Sequence, residues 1–275
     1  MSLVWAVLIV AATTALAVTV MLLVRRGAPE GSRFRDGDRA SGVFGVLATG
    51  FSVLLGFIVF LAFESYDQSR SGAEEEALVV AQQVETAQRL GEPVAAPLAG
   101  QLICYGRSVV NIEWPRATEG TLGDQINPWG VELFHTVQRA QLSTPAREAA
   151  YGKWLDQTSD REAARNDRIH GAVGVIPTPL WIVLFFISIV IFVFMLFFAD
   201  SSEGAVTQAV LMGSVASVIV AMLLLIRFLD APFHEGLGGV KPVAMERALR
   251  IIDESIQAAR IRVSAPCNEQ GTLAS

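Results

Sequence analysis

Residues 180–198 read LWIVLFFISIVIFVFMLFF, nineteen positions without a charge, sixteen of them Leu, Ile, Val or Phe. A helix needs about 20 predominantly apolar residues to cross the roughly 30 Å of hydrocarbon in a bilayer. Each of those sixteen favours insertion by roughly 0.3–0.6 kcal/mol near the bilayer centre. A buried helix of a soluble protein carries a polar stripe at this length, and this stretch has none. Three further blocks share its character: Leu3 to Val24, Val43 to Phe63 and Ala205 to Ile226, all uncharged. The sequence predicts four transmembrane helices.

The composition agrees. Of 275 residues, 52% are apolar and 17% charged, and the mean hydropathy is +0.45, where a soluble domain carries about 25% charged residues. Lys and Arg number 21 against 27 Asp and Glu, net −6, which excludes a nucleic-acid binder working through a basic face. Cys104 and Cys267 are too few for a disulfide framework or a cysteine-built zinc site. Gly236 to Lys241 (GLGGVK) lacks the spacing and the Ser or Thr of a phosphate loop, and His234-Glu235 lacks the second histidine of a zinc-protease helix. His135, His170 and His234 are scattered. These features predict no metal, no cofactor and no enzyme.

The expected fold is an all-α integral membrane protein. A first transmembrane hairpin covers 1–63 (spans 3–24 and 43–63) and a helical soluble domain covers 64–179. A second hairpin covers 180–226 (spans 180–198 and 205–226), and a soluble tail with an amphipathic helix at 242–261 covers 227–275. Ala15-Leu16-Ala17 has the form of a signal-cleavage site. The apolar run nevertheless continues to Val24 and meets Arg25-Arg26, as in an uncleaved anchor. Glu64 to Leu90 continues the second span without a break. Pro93 opens a helix to about Glu113, ended by Trp114-Pro115, and 117–125 is a loop. Pro128 starts a helix to about Leu142, and Thr144-Pro145 starts another to about Ile169. In the tail, Met245, Leu249, Ile252, Ile256 and Ala259 form an apolar stripe, and the last dozen residues fray.

Four crossings put both termini and the soluble segment on one side, opposite the loops 25–42 and 199–204. Charge does not decide which side. The loop 25–42 holds Arg25, Arg26, Arg33, Arg35 and Arg39. The other side holds Arg70, Arg161, Arg165, Arg168, Arg227 and Lys241 near span ends. The first helix alone, with Arg25-Arg26 after it, leans toward an outside N-terminus.

At 100° per residue, Val53, Phe57, Phe60, Glu64 and Asp67 fall on one narrow stripe. In an oligomer, the aromatics would make a hydrophobic constriction and the acids a charged ring. Packing against neighbouring helices is the other reading. With Glu64 and Asp67, the residues Arg70, Arg165, Arg168, Arg227 and Asp230 gather at one membrane face. They form vestibule charge or, alternatively, structural pairs between helix ends, since unpaired charge near lipid is costly. Glu74-Glu75-Glu76 reads as a solvated face. The fourth span carries Ala205, Ala209, Gly213, Ser217 and Ala221 at four-residue spacing, a close-packing face. Ala48, Ser52 and Gly56 on the second span offer a partner stripe.

Leu55-Gly56-Phe57 through Tyr66-Asp67, then Glu76-Ala77-Leu78, is similar to the signature of bacterial membrane proteins with a bestrophin-like domain. Tyr105-Gly106-Arg107-Ser108-Val109-Val110-Asn111-Ile112-Glu113-Trp114-Pro115 resembles that family's second motif. Arg165 with Arg168, and Leu229-Asp230-Ala231-Pro232-Phe233, resemble two more. The resemblance spans about Val43 to Val243. It implies kinship with bestrophins, pentameric all-helical anion channels whose second membrane helix lines the pore through an aromatic neck. On that resemblance the neck falls near Val53, Phe57 and Phe60. The resemblance further implies a homo-oligomer, a pentamer, in the lipid bilayer of the bacterial inner membrane that passes a small inorganic ion, with the soluble domain and both termini cytoplasmic. The acidic calcium clasp of the animal channels is missing, so calcium gating is not implied. Glu64 and Asp67 would discourage anions unless Arg70 or a neighbour's arginine offsets them. Passive ion conduction is the expected function. The alternative is a non-conducting membrane scaffold or sensor whose soluble domain binds a protein partner.

Overall fold

The computed structural model describes residues 3–30, 33–34, 36–122, 127–259 and 262–273. The described residues are organised as helices α1 (Leu3–Arg26), α2 (Gly37–Leu90), α3 (Ala95–Ser108), α4 (Trp114–Thr118), α5 (Pro128–Val137), α6 (Pro145–His170), α7 (Thr178–Phe197), α8 (Ala205–Leu229) and α9 (Val243–Ala259). Among them there is no strand, only an isolated antiparallel bridge between Cys267 and Leu273. The chain forms two compact units, 1–64 with 175–230 and 65–174 with 231–275.

In the first unit, α1, α7, α8 and the first part of α2 have the length and apolarity to cross a membrane. Their core is small. Phe51, Leu55 and Ile58 of α2 meet Leu184 and Ile191 of α7 and Leu223 and Ile226 of α8. Most of the remaining apolar surface is left open by the protein itself, as expected where lipid rather than protein is the solvent. The small-residue face of α8 meets α1, not the second span. A Cβ on Gly213 would stand 3.2 Å from Val18 Cγ2, and the hydroxyls of Thr14 and Ser217 lie 2.8 Å apart. Lipid gives apolar helices no hydrophobic drive to associate, so backbone approach and a shared hydroxyl contact hold this pair. The turn into α7 is tied by Asp230, whose Oδ1 accepts from the amides of Val175 (2.7 Å) and Ile176 (3.0 Å).

The second unit holds the larger core. The α2 residues Ala73, Ala77, Val80, Val84 and Ala87, alternating four and three apart, are buried with Leu98 and Leu102 of α3, Leu133 of α5, Trp154 of α6 and Met245 and Ile252 of α9. Thr144 caps α6, its side chain accepting from Arg147 N at 3.3 Å, with Pro145 in the first turn, where its missing donor costs nothing.

Three expectations are corrected here. Pro115 does not end the helical path. A π-helical turn, Val109–Glu113, connects α3 to α4, and Trp114 N bonds five residues back to Val109 O. The wide turn accommodates a proline whose ring would otherwise clash with the carbonyl four residues before it. Ala117 and Thr118 are therefore helical, and positions 123–125 of the expected loop lie outside the described residues. Residues 262–273 do not fray: they lie against α3 and α5, with Cys267 bonded to Cys104. The two cysteines, too few for a framework, make a single cross-link. Finally, Glu76 is not solvated. It is wholly buried, while Glu74 and Glu75 are exposed.

Candidate functional site

Two features carry functional weight, one in each unit. In the membrane unit, α2 has two unlike faces. Phe51, Leu55 and Ile58 are 5%, 9% and 3% exposed, whereas Val53, Phe57 and Phe60 are 56%, 66% and 62% exposed. Glu64 closes the same exposed face. Ser52 and Gly56 flank it and are open as well, and a Cβ on Gly50 or Gly56 would meet nothing within 4 Å. Ser52 and Gly56 are thus left open within this unit, with Ala48 partly buried, and they remain a surface on which another helix can approach closely.

The charges expected at one membrane face differ in burial. Asp67 and Arg70 are exposed, and Arg70 Nε lies 3.5 Å from its neighbour Glu74. Arg227 is exposed, while Asp230 is buried and committed to the two amides described above. Arg168 is buried in the second unit, because α6 buries a stripe of Ala150, Trp154, Gln157, Arg161, Ala164 and Arg168, while Arg165 beside it is partly exposed.

That stripe builds the second feature. Arg168 and Glu76 have no exposed side-chain surface. Arg168 Nε donates to Glu76 Oε2 and its Nη2 to Glu76 Oε1 (3.2 Å) and Glu113 Oε2 (2.5 Å). Tyr105 donates its hydroxyl to Glu76 Oε1 at 2.5 Å, and Asn127 Nδ2 donates to Glu113 Oε1 at 2.8 Å. Arg165 adds a 3.4 Å contact to Glu113. The Arg168 guanidinium stands 5.4 Å from the centre of the Trp114 ring, and that of Arg161 5.1 Å from the Tyr105 ring. Arg161 Nη1 donates to Gln83 Oε1 at 2.9 Å.

The approach that makes this possible is set by Gly72. A Cβ there would fall 2.5 Å from Arg168 N and 2.7 Å from Ala164 O. Backbone meets backbone at that point, and Glu76, one turn further along α2, is delivered to the α6 arginine.

Burial acts differently on each group. It pushes the Glu113 carboxyl up, but Arg168, Arg165 and the hydrogen bond from Asn127 outweigh it and hold the carboxyl below its usual range. Burial pulls Arg168 toward losing its charge, and Glu76 and Glu113 overcome that and keep it a guanidinium. The Tyr105 hydroxyl is raised well above its usual value by burial and then by Glu76, against the pull of Arg161. Neutral Tyr105 is therefore the donor the cluster needs. A cavity of about 450 Å³ adjoins, lined by Arg161, Arg165, Asn166, Val131 and Phe134. Among the described residues no group of three His, Cys, Asp or Glu side chains converges as metal ligands would.

The four sequence motifs thus meet in one place: Glu76 from the first, Tyr105, Glu113 and Trp114 from the second, Arg165 and Arg168 from the third. Phe233 from the fourth stands edge-on to Trp114 at 5.5 Å. Arg165 and Arg168 both pair with Glu113. The signal that locates Arg168 is the alternating three-four spacing it shares with Trp154, Gln157, Arg161 and Ala164.

The profile of the bestrophin-like domain matches residues 3–245. The chain belongs to the bestrophin-like domain family. Solved structures share its fold. A point mutant of a bacterial bestrophin homologue from Klebsiella pneumoniae superposes with a TM-score of 0.64 at 12% identity, over 91% of this chain and 97% of that one. A second point mutant of a Klebsiella pneumoniae homologue gives 0.65 at 10% identity, over 89% and 96%. A further crystal structure, described as that of a membrane protein, gives 0.65 at 10% identity, over 95% and 100%. Among curated proteins, none matches the sequence. This bestrophin-like chain is a membrane protein with four apolar helices long enough to span a bilayer.

Proposed function

We propose that this bestrophin-like protein is a homo-oligomeric ion channel of the bacterial inner membrane whose copies pack around the first part of α2. The observation that carries the reading is the two-faced helix: one side of α2 is spent on the core with α7 and α8. The other presents Val53, Phe57 and Phe60 to nothing in its own unit. Small residues flanking that face let neighbouring copies approach. A ring of Phe57 and Phe60 side chains makes an apolar constriction, which gates by excluding water. A monomer has no such path, because its membrane helices enclose no polar lining.

The acids set the sign. Glu64 and Asp67 are exposed beyond the aromatics, and Arg70, the nearest cation on that helix, stands beside Glu74. A ring of carboxylates whose nearest guanidinium is already paired favours cations over anions.

Liposome flux with Phe57→Ala and Phe60→Ala together tests the reading. A channel leaks more when the constriction is cut back. A scaffold that binds a protein partner without conducting shows no flux before or after. The oligomeric state in detergent is the companion measurement, and a monomer defeats the proposal.

A further inference from the structure

Cys104 and Cys267 are the chain's only cysteines, 163 positions apart, and the fold joins them in a disulfide. Their proximity does not depend on the sulfurs. Arg107 Nη1 donates to the Asn268 carbonyl (3.4 Å) and Asn111 Nδ2 to that of Glu269 (3.2 Å). Trp129 Nε1 donates to the carbonyl of Gly271 at 2.6 Å. Gly271, at φ +84°, is seated so closely that a Cβ on it would collide with Ser108 N, and one on Gly100 would lie 2.5 Å from Ser264 O. Gly100, Cys104, Arg107, Ser108 and Asn111 share one face of the helical path from α3 into the π turn. Residues 264–271 are docked along that face, with Cys104 wholly buried near its middle.

We propose that this dithiol is oxidised as the chain folds, and that the second unit therefore stands on the extracytoplasmic side of the membrane. Bacterial cytoplasmic thiols are held reduced, whereas disulfides form and persist outside. The thiolate of one cysteine attacks an external disulfide, supplied by a thiol-oxidising protein, and displaces one of its sulfurs as a thiolate. The second cysteine then attacks the mixed disulfide and releases the other sulfur. Two protein thiols give up two electrons and two protons, and the donor disulfide leaves as two thiols. Because Cys104 has no exposed surface in the folded unit, the exchange precedes docking of 264–271.

The arginines agree. Arg25, Arg26, Arg33, Arg35 and Arg39 crowd one short loop between the first two spans. The segment between the second and third spans exceeds the roughly 60 residues over which flanking charge steers insertion. Setting it aside and counting only within about 20 residues of the end of α8 leaves Arg227, Lys241 and Arg247 against those five, with Arg250, Arg260 and Arg262 further along the tail. The five-arginine loop is then cytoplasmic, and an odd number of crossings, one to 65–174 and three to 231–275, puts the second unit outside. This replaces the cytoplasmic placement that the family resemblance implies.

Cells producing the full chain are quenched in acid, denatured and treated with a polyethylene-glycol maleimide that adds mass at each free thiol. No adduct is expected before reduction and two after it. In a host lacking its extracytoplasmic dithiol oxidase, both thiols should react without reductant. Free thiols in the ordinary host overturn the disulfide. The compartment is read separately from reporters fused after Ser275: a phosphatase active only when exported, and a fluorescent protein that matures only in the cytoplasm. An active phosphatase with a dark fluorescent fusion is expected, and the reverse result overturns the placement.

Discussion

The Arg168 guanidinium holds both carboxylate oxygens of Glu76, and neither side chain has any surface open to solvent. Such a pair is expensive to assemble, because both ions leave water, and it is stabilising only while every remaining donor and acceptor is satisfied. Here Glu113, Tyr105 and the face of Trp114 surround the pair, while Arg168 Nη1 is buried without a hydrogen-bond partner among the described residues. The pair therefore adds little against an apolar replacement of both residues, yet its members cannot be removed singly.

Arg168→Met should destabilise the second unit by about 3–5 kcal/mol, the usual cost of leaving a buried partner charge uncompensated. Arg168→Lys should fail nearly as badly, since an ammonium cannot make the bidentate contact. Denaturant unfolding in detergent, followed by tryptophan fluorescence, measures both. A loss under about 1 kcal/mol would show that the cluster is not coupled to folding.

Gly72→Ala should cost about 1–3 kcal/mol, because the added carbon meets main-chain atoms of α6 that cannot move aside cheaply. Gly130→Ala and Gly152→Ala supply the comparison. A Cβ at either position meets nothing within 4 Å, so both should be neutral or gain up to about 1 kcal/mol of helix propensity.

Glu113 gives the second unit an acid limit. Its folded-state carboxyl lies below the ordinary value of 4.5, so the folded protein binds fewer protons than the unfolded chain between the two values. That stabilisation is complete above about pH 4.5 and is lost as pH falls through the folded value. Glu113→Gln should flatten the acid limb of a plot of unfolding midpoint against pH.

Tyr105 gives the opposite limit. Its folded-state hydroxyl is raised well above 10.0, so the folded protein keeps a proton that the unfolded chain has lost. Stability is full below about pH 10 and declines as pH rises through the folded value. Tyr105→Phe should remove that alkaline decline while weakening the fold at neutral pH by about 0.5–1.5 kcal/mol, the worth of one hydrogen bond.

Glu64→Gln with Asp67→Asn should shift the reversal potential of a cation gradient toward zero while leaving the aromatic constriction intact. Unchanged selectivity would remove the acids from the conduction path.

How much was legible follows from the range of the forces. The long continuation of α2 past Glu64 could be read because nothing in that stretch breaks a helix. The start of α6 could be read because Thr144-Pro145 is a local signal. The burial of Arg161 and Arg168 was hidden, since charge argues for solvent and only the shared spacing with Trp154 argues otherwise. Likewise Glu76 is indistinguishable by type from exposed Glu74 and Glu75, and only its register with Gly72 and Gln83 sets it apart.

By itself the sequence determined where lipid must surround the chain, because crossing hydrocarbon is demanded of each helix separately and is met or failed within about 20 residues. Tertiary structure alone decided which small-residue face meets which, that α8 closes on α1 through Gly213, and that Cys267 finds Cys104 across 163 positions. Those pairings depend on the closing of long loops, whose free energy varies so weakly with length that no local pattern records the choice.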